Sequence, residues 1–232
     1  RDFCLSRGLG DVYKRQIMMY AGAGIWAGIK GEGYQATLLA MDTGNNAILK
    51  ALTTVFSNVI TLIIFLKAKW TPFTRNYLQS KPWISLLWVA LFTLGAIIPL
   101  EFVYEQIGVE MDADTERVFA SLMKEPWGYV AVGILAPLAE EVVFRGAILR
   151  TLLGIMSKKN HWVAIMISAA IFGAVHCNQA QFINALLMGL LLGWMYYRTG
   201  SLVPGILLHW VNNTMAYVPV SYTHLTLPTI CS

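Results

Sequence analysis

Long apolar stretches separated by short polar connections organise this chain. A helix that crosses the ~30 Å hydrocarbon layer of a bilayer needs about 20 apolar residues, and its ends are marked by charge or by Pro and Gly clusters. Seven stretches follow that pattern: 17–29, which is short, then 47–66, 82–100, 127–155, 162–177, 182–197 and 202–218. Lys50 falls in the first turn of the second stretch, where its ammonium can snorkel to the interface. Small residues are scattered through the stretches, as close helix packing in lipid requires. No internal repeat is visible. The expected fold is therefore all-α, a polytopic transmembrane bundle of about seven spans, shortened from eight if the ends are clipped.

The connections set an orientation, because Lys and Arg are retained on the cytoplasmic side. Lys67, Lys69, Arg75 and Lys81 crowd the second connection, Arg150, Lys158 and Lys159 the fourth, and Arg198 the sixth. In the third, Glu101, Glu105, Glu110, Asp112, Asp114, Glu116 and Glu125 outnumber Arg117 and Lys124, which suits an extracytoplasmic amphipathic segment. The end of the second span is thus placed inside. His161, beside Lys158 and Lys159, reads as a solvated loop residue.

Composition agrees with burial in lipid. Of 232 residues 56% are hydrophobic and 13% charged, with a mean hydropathy of +0.56. A soluble domain carries about 25% charged residues, so this chain cannot present an ordinary polar exterior, and disorder is excluded on the same grounds. Cys4, Cys177 and Cys231 are too dispersed for a disulfide scaffold. The net charge of +4 resides in the topology-setting connections, with no basic-aromatic run that would bind nucleic acid. The termini differ from the rest: 1–16 and 219–232 lack both signal-peptide organisation and helical periodicity, resemble translated adaptor sequence, and are expected to be non-native or disordered tails. On that reading His224 carries no functional weight. Between the tails, 17–126 is an N-terminal transmembrane region and 127–218 a second region, the one that carries intramembrane ionisable residues.

Ionisable groups deep in a span cost at least ~2.5 kcal/mol each and are functional candidates by default. Glu140, Glu141 and Arg145 lie in LAPLAEEVVFRGAILR, about 13 residues and roughly 20 Å into the fourth stretch. Glu141 and Arg145 are four apart and share a helix face, so they can pair and stabilise packing. Glu140 points about 100° away and is left to react. Pro137, in the preceding turn, removes a backbone bond to Gly133 and should kink the helix, opening a polar pocket at depth. His176 closes the fifth stretch with Phe172 four residues before it. His209 lies inside the seventh with Asn213 four residues after it. Taken alone, each histidine is most simply a core or interfacial side chain. Two histidines, an amide and a free carboxylate together are better explained by a hydrolytic site.

These residues resemble a known family. Glu140-Glu141 with Arg145 (EExxxR), Phe172 with His176 (FxxxH) and His209 with Asn213 (HxxxN) match, in order and each on its own stretch, the three motifs of the CPBP intramembrane proteases. That group includes CAAX prenyl endopeptidases and bacteriocin-processing or immunity proteins. The resemblance covers 127–218. It implies peptide-bond hydrolysis inside the membrane, with Glu140 and His176 activating water, His209 and Asn213 stabilising the oxyanion, and Glu141, Arg145 and Phe172 supporting them. It also admits a metalloprotease in which Glu140, His176 and His209 hold zinc or another divalent metal and Glu141 is the base. The absence of HExxH and the wide ligand separation leave the metal open. The expected partners are a peptide or membrane-protein substrate and the bilayer, and the expected location a bacterial plasma membrane. Two other readings compete: a proton- or ion-coupled transporter using the same residues as a relay, and a non-catalytic immunity scaffold. Estimated depths of Glu140, His176 and His209 differ by about 10 Å, so the protease reading requires tilt and the Pro137 kink to bring them together.

Overall fold

A computed structural model of the chain describes residues 5–71, 76–107, 113–176 and 179–230, and every regular element among them is helical. The order begins α1 (Leu5–Lys30), α2 (Tyr34–Asp42), α3 (Ala47–Lys67), α4 (Asn76–Gln79), α5 (Trp83–Ile107) and α6 (Ala113–Met123). A composite helix follows, in which α7 (Pro126–Gly128), α8 (Ala136–Glu141) and α9 (Arg150–Ile155) are joined by π segments at Tyr129–Leu135 and Val142–Leu149. After a 3₁₀ turn (Lys158–Asn160) come α10 (His161–Ala174), α11 (Gln179–Thr199) and α12 (Val203–Ile230). Cys4, Cys177 and Cys231, like acidic residues Glu110 and Asp112, fall outside the described residues. Helices α1 and α12 run into the segments that the sequence set apart as tails.

Each apolar stretch lies on a helix, but the helices are less uniform than seven equal spans. Among the described residues only α3, 21 residues with a mean hydropathy of 1.9, is both long and apolar enough to cross a bilayer, with a shorter apolar helix over Trp83–Ile97. The physical reason lies in the others. The composite helix is divided by two changes of register and carries three charges, and α10 has 14 residues, about 21 Å at ~1.5 Å per residue. The acidic connection supplies the amphipathic helix α6, whose Leu122 and Met123 are buried. His161 is not a plain loop residue: it opens α10, its Nδ1 meets Lys158 O at 3.0 Å, and its ring stacks on Tyr197 at 4.3 Å.

The composite helix is the axis of the core. Val142, Val143, Phe144, Ala147 and Ile148 pack with Phe65 of α3, Phe172 of α10, Ala185 of α11 and Leu202. Neighbours approach closely where side chains are small. A Cβ added to Gly189 of α11 would lie 2.9 Å from Ala169 Cβ of α10, so the two backbones meet with no room for a larger residue.

A helix that changes register in an apolar interior leaves carbonyl groups with spare accepting capacity, and buried carbonyls are satisfied by nearby donors. Polar side chains from the surrounding elements supply them. Asn58 of α3 donates to Ala131 O at 3.1 Å, Thr71 to Val142 O at 2.8 Å, Ser168 of α10 to Phe144 O at 3.2 Å, and Asn213 of α12 to Val132 O at 3.0 Å. These bonds fix α8 between its two π segments.

Candidate active site

Helix α8 is short, and it places two consecutive glutamates in a buried position. Arg145 Nη1 donates to Glu141 Oε1 at 2.8 Å, one helical turn later, and both side chains are 1% exposed. The arginine is held further by Gly189 O, 3.3 Å from Nη2, and by the Phe172 ring, whose centroid is 4.4 Å from the guanidinium carbon. Burying a charge pair is favourable only with such additional contacts. The pairing expected from the four-residue spacing is present.

His209, from α12, fits between the two carboxylates. Its Nδ1 is 3.3 Å from Glu141 Oε1 and its Nε2 is 3.7 Å from Glu140 Oε2. Glu140 is 7% exposed and His209 5%, so this contact is shielded from solvent. Two side chains that diverge by about 100° on one helix can both meet a third element when its side chain lies in the angle between them.

Phe172 organises the remaining ring contacts. It stands edge-on to His176 at 5.1 Å and to His209 at 5.9 Å, while Phe144 packs against it at 4.9 Å. His176 turns Nδ1 to Phe172 O at 2.9 Å. A carbonyl only accepts, so Nδ1 carries the proton and Nε2 keeps the lone pair. Asn213 gives one amide hydrogen to Val132 O, and its Oδ1 lies 3.4 Å from Asn212 Nδ2.

Glu140, Phe172, His176, His209 and Asn213 line a single cavity of about 350 Å³. The cavity brings together groups whose estimated depths differed, and the interruption of the composite helix is part of the reason. Its walls include polar residues that sequence reasoning did not single out: Thr54 of α3, Gln181 and Asn184 of α11, and Asn212. The last three were legible only as amides within apolar stretches, a signal too common to select them. Asn58, which supports the helix from behind, was equally inconspicuous.

The donor set for a metal was tested against this geometry. Among the described residues no group of three or more His, Cys, Asp or Glu side chains is arranged to hold a metal ion. His209 directs its two nitrogens at the two glutamates and Glu141 is occupied by Arg145, whereas His176, with Nδ1 on a backbone carbonyl, keeps Nε2 available as a ligand. Glu140, His176 and His209, the three ligands considered from sequence, all line the cavity.

Residues 122–215 match the family model described as "Type II CAAX prenyl endopeptidase Rce1-like". This segment is similar to the Rce1-like family. It contains every cavity-lining residue of the EExxxR, FxxxH and HxxxN motifs. Two curated relatives extend the similarity. The "Putative membrane peptidase YdiL" of Bacillus subtilis (strain 168) is 28% identical over 150 residues, covering 62% of this chain and 60% of the relative. The "UPF0177 protein YaiF" of Lactococcus lactis subsp. lactis (strain IL1403) is 28% identical over 171 residues, 69% of this chain and 75% of the relative. The chain thus spans less than two thirds of the Bacillus relative's length. No solved structure matches. The Bacillus relative is named as a membrane protein, in keeping with the apolar helix α3 of this chain.

Proposed function

We propose that the protein is an intramembrane endopeptidase that hydrolyses a peptide bond in a membrane-associated peptide or protein, acting as a multi-pass protein of a bacterial plasma membrane. The observation that carries this reading is the meeting of Glu140 and His209 in a buried cavity that also holds His176 and Asn213. The Rce1-like match and the peptidase name of one relative support it.

Glu140 is the general base. It takes a proton from a water in the cavity as that water attacks the substrate carbonyl carbon, and it returns a proton to the departing amine. His176 assists through Nε2, the nitrogen that its bond to Phe172 O leaves as an acceptor. The developing oxyanion is stabilised by His209 through Nε2 and by the amide hydrogen of Asn213 that Val132 O does not use. Glu141 and Arg145 hold His209 in orientation through Nδ1. No step is routed through a metal.

The test compares the full chain with Glu140→Gln, each expressed in bacterial membranes and followed by mass-spectrometric mapping of new N-termini. The active protein should generate new termini in membrane-associated proteins, and Glu140→Gln should lower their yield by at least about 10²-fold at equal folded abundance. Equal yields from both proteins would overturn the proposal. Cation flux in proteoliposomes without any new termini would replace it with transport.

A further inference from the structure

Pro137 has no N–H, and the segment before it is in the π register, where each amide bonds the carbonyl five residues back. Ala136 N–H makes that bond to Ala131 O. The next amide in the same register belongs to position 137 and would reach Val132 O. Proline leaves that carbonyl without its backbone donor. Asn213 Nδ2 donates to Val132 O at 3.0 Å from another helix. Beside it, the completely buried Asn58 donates to Ala131 O at 3.1 Å from α3. Two asparagines from different helices thus bond consecutive carbonyls of the turn that leads into Glu140.

We infer that Asn213 and Asn58 are positioning residues that clamp this π turn, with Asn213 replacing the backbone donor that Pro137 lacks. The clamp fixes the rotation of α8 and so the direction in which Glu140 faces His209. Relaxation to the ordinary α register would rotate the segment by a sizeable fraction of a turn and separate Glu140 from its partner. The inference rests on the hydrolytic reading only for its effect on rate. It assigns Asn58 a function although that residue lies outside the Rce1-like match and does not line the cavity. For Asn213 it adds a second task to oxyanion binding, performed by the other amide hydrogen.

A rescue experiment separates the two tasks. Pro137→Ala restores an N–H that can bond Val132 O. Asn213→Leu should therefore lower new-terminus formation by about 10²-fold in the native background but only about tenfold in the Pro137→Ala background, a coupling of about 1.4 kcal/mol. Asn58→Leu should lower the yield per folded molecule about tenfold. An independent readout is hydrogen exchange at residue 137 in Pro137→Ala/Asn213→Leu, where the new amide should be protected. Equal losses from Asn213→Leu in both backgrounds, or a freely exchanging residue 137, would overturn the inference. If even the native protein forms no new termini while residue 137 is protected and the thermal unfolding midpoints show the same coupling, the clamp stands and the hydrolytic reading fails.

Discussion

Arg145→Met provides a quantitative test of the buried support beneath the site. The substitution removes the 2.8 Å contact with Glu141 Oε1 and leaves the carboxylate with His209 Nδ1 at 3.3 Å on that oxygen and no partner on Oε2. At an effective dielectric of about 20, two charges 2.8 Å apart attract by about 6 kcal/mol. Part of that is offset because the native pair must also be desolvated. Breaking one partner of a buried pair costs about 3–5 kcal/mol, and the lost contact with the Phe172 ring acts in the same direction. The expected destabilisation is about 3–5 kcal/mol. Urea unfolding in mixed micelles, followed by circular dichroism, measures it. Adding Glu141→Gln removes the orphaned charge while retaining an acceptor for His209, so Glu141→Gln/Arg145→Met should recover at least about 2 kcal/mol. A single-variant cost below about 1 kcal/mol, or a double variant no more stable than Arg145→Met, would refute this electrostatic account.

Two further outcomes follow from the same geometry. His209→Ala should lower both the unfolding midpoint and new-terminus formation, whereas His176→Ala should lower new-terminus formation with a smaller loss of stability. His209 is buried between two carboxylates, while His176 is half-buried and bonds the carbonyl of its own preceding turn, and the paired midpoints and yields test the contrast. Gly205→Ala should cost about 1–3 kcal/mol in micelle unfolding despite alanine's better helix propensity, because its Cβ would stand 2.9 Å from Glu141 Oε2, on a carboxylate whose other oxygen Arg145 holds in place; a stabilised variant would contradict this.

What the sequence determined was local. The spacing of Glu141 and Arg145 made a pair on one helix face, Phe172 and His176 fell one turn apart and touch, and the apolar stretches became helices. The three motifs marked the segment that the Rce1-like family model matches. These features depend on the 3.6-residue repeat and on the cost of an unpaired charge, which act within a few residues of chain.

The tertiary structure decided what joins distant segments. Pro137 predicted an interruption but not its form. The π turn before Pro137 is held by side-chain amides from α3 and α12, and nothing in the local sequence specifies donors 73 and 81 residues away. The insertion of His209 between Glu140 and Glu141 was hidden for the same reason, since it depends on how α12 crosses α8. Hydropathy located the helix over 126–155 but not its changes of register, because hydropathy is summed along the chain whereas backbone hydrogen bonding is satisfied in three dimensions.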